Sequence, residues 1–178
     1  MKTWVVLLRG INVGGRNILP MAELRALLSG LGCHNVRTYI QSGNCIFEGA
    51  DINPVGFSTA ISAAIDTKFG FTPMVMILSI EALLSARDAN PFASVETPEK
   101  TVHFYFLSEP VKDVDVAALD SLKTPSEIYV LTDAVFYLHT PDGIGRSKFA
   151  AQVEKKLGVS VTARNIRTVT KLLDMAAA

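Results

Sequence analysis

The chain is poor in the residues that mark metal, redox and secreted proteins. Its 178 residues include two cysteines, three histidines and one tryptophan. Cys33 and Cys45 are not in C-x-x-C spacing, so they read as two buried thiols in a reducing, cytoplasmic compartment rather than a disulfide or metal pair. His34, His103 and His139 have no metal-ligand spacing, and the last two fall in apolar strands where a structural role fits. No metal or cofactor is expected. Long apolar runs are also missing. Trp4–Leu8 and Met74–Leu78 are far shorter than the roughly 20 residues of a membrane span. The N-terminal run ends at Arg9 without a small-residue cleavage site, so neither a signal peptide nor a membrane partner is expected. There is no G-x-S-x-G and no paired-carboxylate motif in a basic loop. Catalytic residues therefore stay unassigned. Ser42 lacks a nameable partner, and Tyr39 and Asp142 are the only nearby acid or base groups.

What is present is material for a core: 49% hydrophobic residues and a mean hydropathy of +0.30. Net charge is zero, yet the charges are segregated. Met1 to Phe47 carries five basic residues against the single acid Glu23, and Gly143 to Lys171 carries seven against Glu154. Between them, Glu48 to Asp142 holds fourteen acids and five bases. Such a distribution gives local basic fields on a neutral protein.

Periodicity predicts an α+β fold of two tandem ferredoxin-like (βαββαβ) subdomains, the second followed by a C-terminal helix. Lys2–Arg9 reads as a strand. A helix then follows with Pro20 at its first position, carrying Met21, Leu24, Leu27, Leu28 and Leu31 at helical spacing. Val36–Ile40 and Asn44–Glu48 form a hairpin across Gln41-Ser42-Gly43. Asn53 and Pro54 open a second helix, and Thr72–Leu78 is the fourth strand. The pattern repeats from Thr101: strand, helix Val114–Leu122, strands Glu127–Leu131 and Ala134–Thr140, helix Ser147–Leu157, a short strand Val159–Val161 and a last helix Asn165–Met175. The expected division is 1–79, a helix and linker at 80–100, and 101–178.

Two segments have the composition of anion-binding loops. Arg9-Gly10-Ile11-Asn12-Val13-Gly14-Gly15-Arg16-Asn17 joins a strand to a helix, where glycines let backbone N–H groups converge on a negative group. Gly10 and Gly15 stand at P-loop spacing. Arg16 and Asn17, however, occupy the Lys and Ser/Thr positions that phosphate and Mg²⁺ require, so a true P-loop is rejected. Asp142-Gly143-Ile144-Gly145-Arg146-Ser147-Lys148 is the second segment, with Ser147 as a helix cap and cations beside the helix start. Parallel strand ends give each segment a neighbour: Tyr39, Gln41, Ser42 and Asn44 in the first unit, and Arg164, Asn165, Arg167 and Thr168 in the second. Arginine's planar fork suits phosphate or carboxylate.

Four segments also carry a family resemblance. Leu8–Gly15, Thr38–Asn44, Gly143–Lys148 and Thr162–Val169 together resemble a widespread bacterial domain family of unknown function, over nearly the whole chain. The resemblance implies an α+β fold with ferredoxin-like elements and makes these segments the functional surface, but it supplies no activity. Ile166 stands where the family usually carries Trp, which puts a stacking role there in doubt. Cys45 replaces an aliphatic residue. The expected ligand-binding set is thus Arg9, Gly10, Asn12, Gly14, Gly15, Arg16, Tyr39, Gln41, Ser42, Asn44, Gly145, Arg146, Ser147, Lys148, Arg164, Asn165, Arg167 and Thr168. Its expected partner is an anionic small molecule such as a nucleotide or phosphorylated metabolite. The alternative is a nucleic-acid-binding module that contacts the phosphate backbone. Against a base-stacking RNA module, Asn44–Glu48 and Ala134–Leu138 lack its aromatic and basic signature.

Overall fold

A computed structural model describes all 178 residues. The chain divides into two compact units, Met1–Ser85 with Thr170–Ala178, and Ala86–Val169. Each unit contains one four-stranded antiparallel sheet.

In the first unit the order is β1 (Lys2–Arg9), α1 (Met21–Gly30), β2 (His34–Tyr39), β3 (Asn44–Gly49), α2 (Pro54–Phe69), β4 (Met74–Ser79) and α3 (Ile80–Asp88), the last running on past Ser85. The sheet order is β2-β3-β1-β4. Alternation in β1 sends Trp4, Val6 and Leu8 into one core with Leu24 and Leu28 of α1 and Ile61 and Ile65 of α2. Register adds Phe47 opposite Trp4 and Cys45 opposite Val6. The other faces of these central strands are covered as well, since Val5, Leu7 and Ile46 are fully buried. This explains why Trp4–Leu8 is an unbroken apolar run rather than an alternating one.

Helix ends follow local chemistry. The Asn53 side chain accepts from the N–H groups of Val55 and Gly56 at the start of α2, and Gly70 closes that helix at φ 75°. Ser79 accepts from Ala82 N–H at 3.1 Å and so caps α3. Pro20 precedes α1 instead of opening it: its φ of −60° fits a helix, but its ψ of 138° is extended.

The second unit contains α4 (Pro98–Thr101), β5 (Val102–Leu107), α5 (Val116–Leu122), β6 (Ile128–Leu131), β7 (Val135–His139), α6 (Val153–Leu157), β8 (Val161–Asn165) and the start of α7 (Ile166–Ala177). Its sheet order is β6-β7-β5-β8. One face of β5 and β7 packs Tyr105, Leu107, Phe136 and Leu138 against Leu119, Phe149 and Val153. On the other face Val102, Phe104, Phe106, Val135 and Tyr137 are buried too. There Phe104 meets Tyr137 edge-on at 4.9 Å, and the Tyr137 hydroxyl donates to the carbonyl of Ala86 at 2.7 Å.

Two expectations need correction in this unit. Within the helix expected over Ser147–Leu157, Ala150–Gln152 is a 3-10 turn and only Val153–Leu157 is α-helical, and a separate 3-10 turn, Ile144–Arg146, precedes it. Burial of Phe149 draws the chain inward at that point and interrupts the helical repeat. The strand expected at Val159–Val161 runs instead from Val161 to Asn165, because Val161, Thr162, Ala163, Arg164 and Asn165 pair with β5 from Leu107 to His103. Arg164 and Asn165 therefore lie in a strand, and α7 begins after them.

Candidate functional site

At one end of the first sheet, β1 leads into a loop that is pinned at both ends and exposed between them. Ile11 and Leu19 are buried in the core, while Val13 to Ile18 is exposed throughout. Asn12 ties the pins together. Its Nδ2 donates to the carbonyls of Leu19 (2.9 Å) and Gln41 (2.8 Å), and its Oδ1 accepts from Leu19 N–H at 2.8 Å. Its backbone N–H reaches the Asn17 carbonyl at 3.1 Å, and the Asn17 side chain donates to the Gly10 carbonyl at 2.8 Å. Both asparagines take left-handed φ values, 53° and 52°. Asparagine tolerates that region better than other side-chain-bearing residues, so one residue type supplies both the turn and the clamp. Between the clamps, Arg16 N–H closes a tight turn on the Val13 carbonyl at 3.0 Å, with Gly14 and Gly15 at φ 58° and 73°. Left-handed values at both central positions favour a Gly-Gly pair.

The β2–β3 hairpin lies against this loop. Leu8 N–H donates to the Gly43 carbonyl at 2.9 Å, beside the Asn12–Gln41 bond already described. Gly43 has φ 76°, and a Cβ there would stand 2.6 Å from Leu8 Cβ, so only glycine lets the two segments touch. Asn44 is fully buried; its Nδ2 donates to the Ser42 hydroxyl at 2.9 Å and to the Tyr39 carbonyl at 3.2 Å. Together the loop and hairpin wall a shallow depression of about 280 Å³, lined by Ile11, Asn12, Val13, Ile40, Gln41 and Ser42. Of the residues expected here, Arg9, Gly10, Gly14, Gly15, Arg16, Gln41 and Ser42 are exposed, Tyr39 is half-buried, and Asn12 and Asn44 are used to shape the site.

The second pair of segments, at the end of its sheet where β5 starts, is built differently. After β7 the Gly143 N–H returns to the Thr140 carbonyl at 2.9 Å, and a single 3-10 turn carries Gly145 and Arg146. Ser147 accepts from Ala150 N–H at 2.9 Å, so it caps locally as expected, but what it caps is a 3-10 turn. No long helix starts here, so Arg146 and Lys148 do not stand beside a helix N-terminus and no helix dipole opposes them. Asn165 caps α7 through Thr168 N–H at 2.9 Å, while Thr168 itself is buried. Arg164 Nη1 donates to the Ala163 carbonyl at 2.8 Å, and Arg167 is exposed. The ends of β7 and β8 both face the start of β5, where His103 stands opposite Leu138 and Asn165. The two segments thus share one end of the sheet.

A second cavity of about 270 Å³ opens at that end, lined by Glu96, Thr97, Thr101, His139 and Pro141. Thr97 is left-handed at φ 48°, and its carbonyl receives the Thr101 hydroxyl at 3.1 Å. Burial pushes the imidazoles of both His103 and His139 below the usual histidine range, and neither Nδ1 has a hydrogen-bond partner. Neutral, structural histidines fit this setting. Both cysteines are buried and neither is in a disulfide, and burial raises the Cys33 thiol to about 11, far from a reactive thiolate. No group of three or more metal-ligating side chains occurs, and no helix is long and apolar enough to cross a membrane.

The sequence reading missed Asn17 as a second clamp, and it missed Ile40. Asn17 was signalled by an Asx residue in a glycine-rich turn. Ile40 ends an apolar strand in sequence yet takes φ 50° at the hairpin tip, and no sequence rule places a β-branched residue there.

An α+β protein of two antiparallel sheets, with glycine-shaped polar loops at the sheet ends, is the class defined so far. The model of a protein family described as "Protein of unknown function (DUF1697)" matches residues 1–137, and the chain belongs to that family. The match spans the first two sequence segments, whereas Gly143–Lys148 and Thr162–Val169 lie beyond it. Among solved structures the chain is similar to one described as a conserved bacterial protein from Streptococcus pneumoniae. The TM-score is 0.73 at 26% identity, covering 100% of this chain and 99% of the other. No curated protein matches the sequence.

Proposed function

We propose that this protein binds a negatively charged small molecule, of the nucleotide or phosphorylated-metabolite class, at the loop Arg9–Asn17 and its hairpin neighbour. The observation that carries this reading is the Asn12 clamp. Three hydrogen bonds from one side chain hold an exposed turn whose Gly14 and Gly15 N–H groups are not used within the loop, with Arg16 beside them. A rigid tip of unused donors next to a guanidinium suits an anion, because the ordering of the loop precedes binding. Gly145, Arg146, Ser147, Lys148 and Arg167 form a second, less preorganised basic surface in the other unit. The strand orders β2-β3-β1-β4 and β6-β7-β5-β8, each with two helical crossings, support the inference that both units are ferredoxin-like plaits.

Nucleic-acid binding through the phosphate backbone draws on the same exposed arginines. Burial of Val5, Leu7 and Ile46, and of Phe104, Phe106 and Tyr137, argues against the sheet-face stacking used by RNA-binding plaits. The test is a thermal-shift panel of nucleotides, sugar phosphates and a mixed oligonucleotide against the intact protein and Arg16→Ala. A ligand at 100 times its dissociation constant adds about 2.7 kcal/mol of stability. Stabilisation that Arg16→Ala removes supports the reading, and no stabilisation across the panel overturns it.

A further inference from the structure

The depression beside the clamped loop has an aliphatic wall that a bare anion does not require. Ile11 floors it, and Val13 and Ile40 stand at its rim, 66% and 52% exposed. Two exposed aliphatic tips around a hollow are unlike singly scattered surface residues. Ile40 holds its place in a left-handed conformation that β-branched residues rarely adopt, where asparagine or glycine would sit without strain. Strain retained at the rim of a pocket points from geometry to use. The volume, about 280 Å³, falls just below the usual range for small-molecule sites and suits one ring rather than an extended ligand. Across the turn the backbone of Arg16 pairs with that of Val13, so the residue that bears the cation is the cross-turn neighbour of the aliphatic wall.

We propose that the ligand is an aryl or heteroaryl phosphate monoester. Its ring lies against Ile11, Val13 and Ile40, and its phosphate is held by Arg16 and the Gly14–Gly15 turn. This inference rests on the anion-binding reading and narrows it to a ligand with an apolar ring. The polar lining fits that division of labour. The Asn12 amide is spent on the loop, so Ile11, Val13 and Ile40 supply contact area, and the polar side chains left on the lining are those of Gln41 and Ser42.

Calorimetric titration of the intact protein with inorganic phosphate, phenyl phosphate and phenol tests the proposal. Phenyl phosphate binds about tenfold more tightly than phosphate, the gain from burying roughly half a ring's apolar area. Ile40→Asn, which suits the backbone there, and Val13→Ser each close most of that gap and leave phosphate affinity unchanged. Arg16→Ala weakens phosphate and phenyl phosphate alike. Equal affinity for phosphate and phenyl phosphate, or a gap that survives both Ile40→Asn and Val13→Ser, overturns the ring site while anion binding stands. Absence of binding by either phosphate overturns both. Phenol binding as tightly as phenyl phosphate, untouched by Arg16→Ala, overturns the role given to the phosphate.

Discussion

Between Gly10 and Leu19 the chain is held by two asparagine side chains and two buried anchors, whereas between Thr140 and Phe149 it is held by consecutive local turns and a serine cap. Both stretches combine two or more glycines with one arginine, and from composition they look equivalent. The first uses side-chain amides to fix a backbone that has several left-handed residues and no regular structure. The second needs no such clamp, because a 3-10 turn satisfies its own backbone. Composition marks a loop that could meet an anion; the hydrogen bonds inside it decide whether it is preorganised.

The sharpest way to break this contrast is at the glycines. Gly43→Ala places a Cβ 2.6 Å from Leu8 Cβ at a positive φ and is expected to cost about 3 kcal/mol, with loss of the loop's docking. Gly145→Ala, where a Cβ meets open space, should stay within about 0.5 kcal/mol. Urea midpoints measure both, and equal costs would erase the distinction.

Next come the side chains that hold each loop. Asn12→Ala removes three hydrogen bonds and is expected to cost about 2–3 kcal/mol. Ser147→Ala removes one cap bond and about 1 kcal/mol. Faster amide exchange over residues 12–19 in Asn12→Ala would locate the loss. Ile40→Asn works in the opposite direction, raising stability by about 1 kcal/mol as left-handed strain is relieved. A lower thermal midpoint in that variant would contradict the strain assignment.

The smallest effect concerns pH and distinguishes the second unit, which holds the buried His103 and the half-buried His139. His103 and His139 have values lowered in the folded protein, chiefly by burial, so the unfolded chain binds protons more readily. Their contribution is complete above the ordinary imidazole value of 6.5 and is lost as pH falls through and below it. Unfolding midpoints at pH 8, 6.5 and 5 should show this decline, and His103→Gln should flatten it. An unchanged slope in His103→Gln would remove that residue from the account.

Much of the fold was legible because its signals were local. The Asn53-Pro54 start of α2 and the hairpin at Gln41–Gly43 follow from capping and turn chemistry that few neighbouring residues decide. The end of the chain was harder to read. Phe149 leaves the helical repeat to enter a core built from Tyr105, Phe136 and Val153, and no short window reveals that pull. The same holds for β8, whose extent is set by pairing with β5, about sixty residues earlier in sequence. At the candidate site the loops were visible in their glycines and arginines. The role of Asn12 was not, because it depends on the carbonyl of Gln41, a residue from the opposing hairpin.

The claim that the clamped turn is an anion site is tested most directly by amide NMR during a phosphate titration. Binding there shifts the Gly14, Gly15 and Arg16 N–H resonances together, saturably and with one dissociation constant, while Asn12→Ala abolishes the effect. If those three amides stay still while resonances in 144–148 move, or if shifts scatter without saturation, the first loop is a well-built turn and nothing more.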